Sequence, residues 1–488
     1  MIAHDRPISI DSLTGRLPGG RALFSRDPKE ARKAVESSPF ENGHSRRALL
    51  KLGLMALGAG AAPCRWMAQG QVSPAELGRQ AIRFGLNYVP RKNWWYTWQD
   101  WDARSISEDF RAVADLGMDH IRIQCLWPIF QPGVNYVSPV ALNRLRELLE
   151  LASQANLDVE VTVLDGWLSG DSFLPSWVAP LAKGKNIFTH PDIIEAEYSL
   201  FKSLTEVIGQ YKRFLGFDLG NEINVLQEAT SGNSASLSES DLWATNLLAR
   251  LAQLAPGRFH VNGADDGPWF SDSGFSRRNL ATTGTATILH CYAYWTGALK
   301  YYRYNDVGSL HLLEYMVELA KAYQLNASRQ VWVEEVGASG EWMPERYIPE
   351  YAATLLKNAA SCGNIWGFTW WCSHDIDPAI KGFDSLEYTL GVLDQKNRVK
   401  PIGKVLAKLA EQMRRTPIDA LTRPVALVVP DDRFSGSGET PGWEVGKHFM
   451  ELIAQGVRPA IVVQSRARDE QYLRMRGIKD LVTLKRGV

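Results

Sequence analysis

The chain has 488 residues, 45% hydrophobic and 22% charged, with 54 basic side chains balanced by 54 acidic ones. That is the composition of a globular protein with a large core. The zero formal charge argues against nucleic acid or an anionic membrane as a partner. Of the five cysteines, no two form a C-x-x-C pair and none has zinc-site spacing. Cys125, Cys291 and Cys372 sit in or beside apolar runs and read as buried free thiols.

Residues 1–44 are polar and contain proline and glycine. Ser45-Arg-Arg-Ala-Leu-Leu-Lys51 then leads into the apolar stretch Leu52–Ala62, too short to span a bilayer comfortably. Gly53, Gly58 and Gly60 weaken a helix there, and no polar face appears. The segment resembles a twin-arginine export signal, so residues 1–68 are read as an N-terminal region with the signal around 45–68 and cleavage near Ala68. Pro63 before Cys64 fits a lipid-anchor site poorly. The expectation is a protein carried by the twin-arginine machinery to the periplasm or beyond, with no stable membrane span in its mature form.

From about residue 80, short apolar runs alternate with amphipathic stretches, the signature of βα units. The predicted strands are 83–89, 119–125, 158–164, 214–219, 258–262, 286–292, 330–335 and 364–371. Between them, Leu142, Leu145, Leu148, Leu149 and Ala152 recur at helical spacing. Stretches 194–211, 241–254, 310–323 and 348–360 do the same. The fifth unit, after Asn262, shows loop and at most a short helix. Eight strands over residues 80–415 predict a (β/α)8 barrel with loop insertions. Pro417, Pro424 and Pro430 mark a change of composition. Residues 420–488 then read as a small α/β appendage: strands 425–429, 460–463 and 481–484, a helix over 443–455, and a flexible loop at Gly436, Gly438 and Gly442. It has no Gly-x-Gly-x-x-Gly and no phosphate loop, and is taken as structural.

The chemistry gathers at two strand ends. Phe214–Leu219 runs into Gly220, Asn221 and Glu222; Gln330-Val-Trp-Val runs into Glu334 and Glu335. In a closed barrel both ends lie on the catalytic face. Two carboxyl groups flanking a scissile bond are what a retaining glycosidase needs, one as proton donor and one as nucleophile. Alternation along the strand is expected to put Glu334 and Glu335 on opposite faces. Trp94, Trp95, Trp98, Trp101, Trp127, Trp167, Trp177, Trp295, Trp370 and Trp371 lie near predicted strand ends, and some of them fit flat platforms for sugar rings.

Asn221-Glu222 after strand four and Glu335-Val-Gly337 after strand seven resemble clan A glycoside hydrolases, family 5 above all. Val336 stands where that family usually has Phe. The resemblance implies Glu222 as acid/base and Glu335 as nucleophile. It implies Arg122 on strand two as the nucleophile's support, His290 and Tyr292 as the His-x-Tyr of strand six, and Trp370 as the floor beneath the cleaved sugar. Many family members carry His-Asn after strand three; here the loop is Asp165-Gly-Trp167-Leu-Ser-Gly170, which leaves Asp165 and Trp167 as candidate substrate contacts. Gly85-Leu-Asn-Tyr-Val-Pro and Trp127-Pro-Ile-Phe-Gln-Pro resemble bacterial mannanase- or mannosidase-like members. The expected pKa pattern is an acid/base above a free glutamate and a nucleophile held down by Arg122.

The leading reading is an exported retaining β-glycosidase working by double displacement. Mannan-type substrates come first, glucans second and β-galactosides or other exo-cleaved β-glycosides third. A carbohydrate-binding barrel without catalysis and a metal-dependent lyase are the competing classes. Two well-placed carboxylates oppose the first. The lack of a His/Asp metal cluster in the sequence opposes the second. No cofactor or metal is expected.

Overall fold

In the computed structural model, which describes residues 81–178, 186–230, 232–431 and 441–483, the strands are Arg83–Asn87, His120–Leu126, Asp158–Asp165, Phe214–Asp218, Thr287–Cys291, Val331–Val336 and Ile365–Trp370. All pair in parallel in one curled sheet, the first strand lying between the second and the last. Alternating βα order and parallel pairing make this a (β/α)8 barrel.

The fifth position is the irregular one. Residues 258–262 do not form a regular strand, yet their backbone bonds to strand four, through Phe259 N to Leu215 O (2.8 Å) and Val261 N to Phe217 O (2.9 Å). On the other side His260 O accepts from Thr285 N (2.8 Å), just ahead of strand six. Gly216 permits the approach: a Cβ there would stand 1.7 Å from the Phe259 carbonyl oxygen.

The helices bury the apolar stripes that the sequence shows. Pro139–Gln154 starts with Ser138 accepting from Ala141 N (3.3 Å), a cap that stabilises by about 1 kcal/mol. It turns Ala141, Leu145, Leu148, Leu149 and Ala152 onto the sheet. The barrel interior is filled as well. Trp332, Trp366 and Phe259 pack at its lower end, where His120 Nε2 and Trp332 Nε1 both meet Thr369 Oγ1 (2.7 and 2.8 Å).

The appendage is a three-stranded parallel sheet with Val425–Val429 between Ala460–Val463 and Asp480–Thr483, plus the helices Pro441–Ala454 and Glu470–Met475. It docks on the barrel helix Leu312–Tyr323 through buried charge. Glu314 and Glu318, one turn apart and both fully buried, face Arg423 (2.6 and 3.4 Å). Arg458 adds a bond to Glu314 (2.7 Å) and Arg476 one to Glu318 (2.6 Å). The appendage therefore packs on the barrel, within one compact unit, Gln71–Val488.

Among the described residues no helix is long and apolar enough to cross a membrane, and Cys125, Cys291, Cys362 and Cys372 are buried free thiols. The export signal, Cys64, the Gly436–Gly438 loop and Leu484 lie outside the described residues.

Candidate active site

Glu222 leaves strand four in a left-handed conformation, φ 44° and ψ 40°. A non-glycine residue holds that conformation only where its surroundings enforce it. Here its N–H donates to Gly263 O and its carbonyl accepts from Val225 N, both at 2.8 Å. The side chain is thereby aimed at the barrel mouth. One oxygen of Glu222, one of Glu335 and a ring nitrogen of His290 lie within 4.8 Å of one another. That separation lies just under the about 5–5.5 Å of retaining glycosidases and well short of the roughly 6.5–9.5 Å of inverting ones.

Glu335 is held from two sides. Tyr292 Oη donates to its Oε1 (2.6 Å) and Arg122 Nη1 to its Oε2 (3.1 Å). Burial pushes the Glu335 carboxyl above its ordinary range, while His290, Arg122 and the Tyr292 hydroxyl pull the other way. The expectation of a carboxyl held down by Arg122 is thus corrected: desolvation outweighs the cation. Burial also opposes charge on His290, but Glu335, Glu222 and Glu334 overcome it and raise the imidazole well above its usual value. The ring lies between two carboxyl groups, Nδ1 at 2.9 Å from Glu222 and Nε2 at 3.2 Å from Glu334. The trio could offer three ligand atoms to a metal ion, yet both imidazole nitrogens already face carboxylates.

Arg122 is fully buried and meets three carboxylates: Asp218 (2.7 Å), Glu335 (3.1 Å) and Glu334 (3.6 Å). A charge so buried must be matched, and removing its partners would be strongly destabilising. Its Nη2 also donates to Asn221 Oδ1 (2.9 Å), whose Nδ2 donates to the Trp167 carbonyl (2.9 Å). The amide beside the acid/base candidate is therefore locked at both ends, and Trp167 is tied in through its backbone.

Glu334 overturns the alternation argument. Strand seven skips a register step against strand six, Leu289 pairing Val333 and His290 pairing Glu335. A second shift opens against strand eight between Val333 and Val336. The bulge turns both glutamates inward, one to each side of Arg122. Strand eight carries an extra residue at Trp366 and alternates from Gly367 on, and there the alternation moves the tryptophan. Thr369 faces the interior, so Trp370 points outward into the main core, 2% exposed. Trp371, next in the inward phase, packs in the cluster that holds Tyr292.

Asp165 is fully buried, and burial pushes its carboxyl well up. Three further acids went unnoticed in the sequence. Asp218 sits under Arg122 and is pushed to about 6, burial and Glu334 raising it against Arg122. Glu160 is buried with neither oxygen hydrogen-bonded. Glu387, from the turn after strand eight, accepts from Ser169 Oγ (3.1 Å), and burial pushes it to about 8. Only the strand-end position of Asp218, four residues before Glu222, carried a signal that could have found one of them.

Solved structures resemble the whole arrangement. A variant of the GH5_18 protein of Streptomyces cattleya, crystallised with Manβ1-4GlcNAc, is 34% identical, covering 83% of this chain and 99% of its own, at a TM-score of 0.78. The chain belongs to GH5_18. It is therefore a glycoside hydrolase of family 5 and a retaining β-glycosidase with a carbohydrate substrate. The GH5_18 protein of Bifidobacterium longum subsp. longum is 32% identical, covering 83% of this chain and 98% of its own (TM-score 0.77). Op5Man5, an exo-β-1,4-mannosidase of an Opitutaceae bacterium, shares the fold at 22% identity, with 78% and 70% covered and a TM-score of 0.66. No family model and no curated protein sequence matches the chain.

Proposed function

We propose that this GH5_18 chain is an exported β-mannosidase that removes a terminal β-mannosyl unit from a Man-β-1,4-linked sugar. The observation that carries it is the carboxylate pair within 4.8 Å, with Tyr292 and Arg122 on one member and His290 on the other. Glu335 attacks the anomeric carbon. Glu222 gives its proton to the departing oxygen, then takes one from water as the glycosyl-enzyme is hydrolysed with retention. Tyr292 and Arg122 aim and steady the nucleophile, His290 orients Glu222, and Trp371 supplies the apolar floor. The mannosyl preference is supported by the ligand in the Streptomyces protein; glucans come second.

Exo action is supported by the loops after strands one, three and eight, which contact one another and pack against the cluster that holds Tyr292. Trp95 meets Phe173 at 4.8 Å and Phe383 at 4.4 Å, while Ser169 bonds Glu387. The arginine pair before Leu52–Ala62 supports export through the twin-arginine machinery to the periplasm or beyond. Buried free thiols that need no oxidative folding fit a cargo that crosses folded.

The test is hydrolysis by the full chain of Manβ1-4GlcNAc, aryl β-mannoside, aryl β-glucoside and mannan, with the first-formed anomer read by NMR. Release of β-mannose from the short substrates ahead of mannan is expected. Faster cleavage inside mannan, or α-mannose as first product, would overturn the reading.

A further inference from the structure

Tyr292 links the nucleophile to the outside. Its hydroxyl holds Glu335, and its ring meets Trp342 edge-on at 6.1 Å. Tyr294 stacks on Trp342 at 5.3 Å with 5° between planes, and Trp295 meets it edge-on at 5.9 Å. Tyr294 is 49% and Trp295 57% exposed. A run of aromatic rings thus leads from the catalytic pair to solvent over the loops after strands six and seven. Single exposed apolar residues need no explanation, but a contiguous aromatic patch at the mouth of a site marks a binding surface. Trp95, Phe173 and Phe383 contact one another on other loops and pack against the cluster that holds Tyr292, whereas Tyr294 and Trp295 stand out from it into solvent.

The wall is braced from outside the barrel. Thr296 bonds the Tyr292 carbonyl through its N–H (3.1 Å) and Oγ1 (2.7 Å). The Thr296 carbonyl in turn accepts from Trp443 Nε1 (2.5 Å), on the appendage helix Pro441–Ala454. Trp443 is 1% exposed and stacks on Phe270 at 5.5 Å. Gly297, at φ 77°, makes the turn directly beneath its indole nitrogen.

We propose that Tyr294, Trp295 and Trp342 form a subsite for the sugar ring on the leaving-group side of the cleaved bond, and that the C-terminal appendage positions this subsite through Trp443. The proposal rests on the glycosidase reading above and adds to it where the second ring sits and what the appendage does. The face of a pyranose that carries its axial C–H bonds is apolar and matches an indole or phenol face in size.

The experiment compares β-mannosyl fluoride, whose leaving group has no ring, with Manβ1-4GlcNAc, using wild type, Trp295→Ala and Trp443→Phe. Trp295→Ala is expected to raise KM for the disaccharide roughly tenfold, equivalent to about 1.4 kcal/mol, with kcat/KM for the fluoride within about twofold of wild type. Trp443→Phe keeps an aromatic ring against Phe270 but drops the N–H and part of the indole volume, and is expected to give a smaller rise of the same kind, about threefold. Unchanged KM for the disaccharide in Trp295→Ala would overturn the subsite, and equal losses on both substrates in Trp443→Phe would overturn the positioning role. Wild type inert on both substrates would overturn the functional reading and the subsite with it.

Discussion

Replacing Tyr292 by Phe removes one oxygen from the site and leaves the ring against Trp342. The lost contact is a 2.6 Å bond from a phenol to Glu335 Oε1. A hydrogen bond to a charged group contributes about 1.5–3 kcal/mol, and 1.36 kcal/mol corresponds to one pH unit of titration. The bond favours the ionised carboxylate, so its loss raises the Glu335 pKa further, beyond what burial already does. The acid limb of kcat/KM, which reports the free enzyme, should therefore move up by about one to two pH units. Well above that limb Glu335 is ionised in both proteins, and the two profiles should converge. The assay is kcat/KM against pH on an aryl β-mannoside with a good leaving group. An acid limb that stays in place would refute the reasoning. A fall by the same factor at every pH would show that Tyr292 acts on geometry and not on charge.

In the appendage, burial works against the charge of Glu318, but Lys321, Arg476 and Arg423 outweigh it and hold the carboxyl at about 2. Glu318→Gln takes the carboxylate from buried Arg476 and leaves Arg423 with Glu314 alone, and should cost about 3–5 kcal/mol, read as a lowered Tm by calorimetry. The Glu318 pKa is depressed in the folded state. Its contribution is therefore present above the unfolded value of about 4.3 and fades as pH falls toward the folded one, so the variant's Tm should depend less on pH in that acid window. Trp370→Ala should open a core cavity at about 3–5 kcal/mol and spare KM, whereas Trp371→Ala should raise KM for every mannoside; thermal melts beside kinetics separate the two. Glu387 ionises at about 8, beside Glu335 and Glu222. Glu387→Gln should hold activity on the alkaline side where wild type declines, and an unchanged alkaline limb would remove Glu387 from the pH response.

The strands were legible because each is an apolar run closed by polar or glycine residues, a local signal. The helix Ile348–Ala360 and the appendage strands Val425–Val429 and Ala460–Val463 lie where periodicity puts them. The carboxylate pair followed from counting strands, since position in the barrel decides which ends share a face. What escaped depends on partners distant in sequence. Glu334 turns inward through a bulge that strands six and eight impose. The choice between Trp370 and Trp371 needed the inward phase of strand eight, which Thr369 sets by bonding His120 and Trp332. Ser169 and Glu387 are 218 residues apart and meet only when the barrel closes. The fifth strand is weak in sequence because its backbone bonds are intermittent, a close approach that Gly216 permits.

The central claim is that Glu335 attacks the sugar and Glu222 manages the proton. It is tested most directly by Glu335→Ala with added azide, on an aryl β-mannoside with a good leaving group. With the nucleophile gone, azide fits its place and attacks from that face. Recovered turnover is expected, with an α-mannosyl azide as product, the configuration inverted, identified by NMR. A β-mannosyl azide from this variant, or full activity without azide, would contradict it.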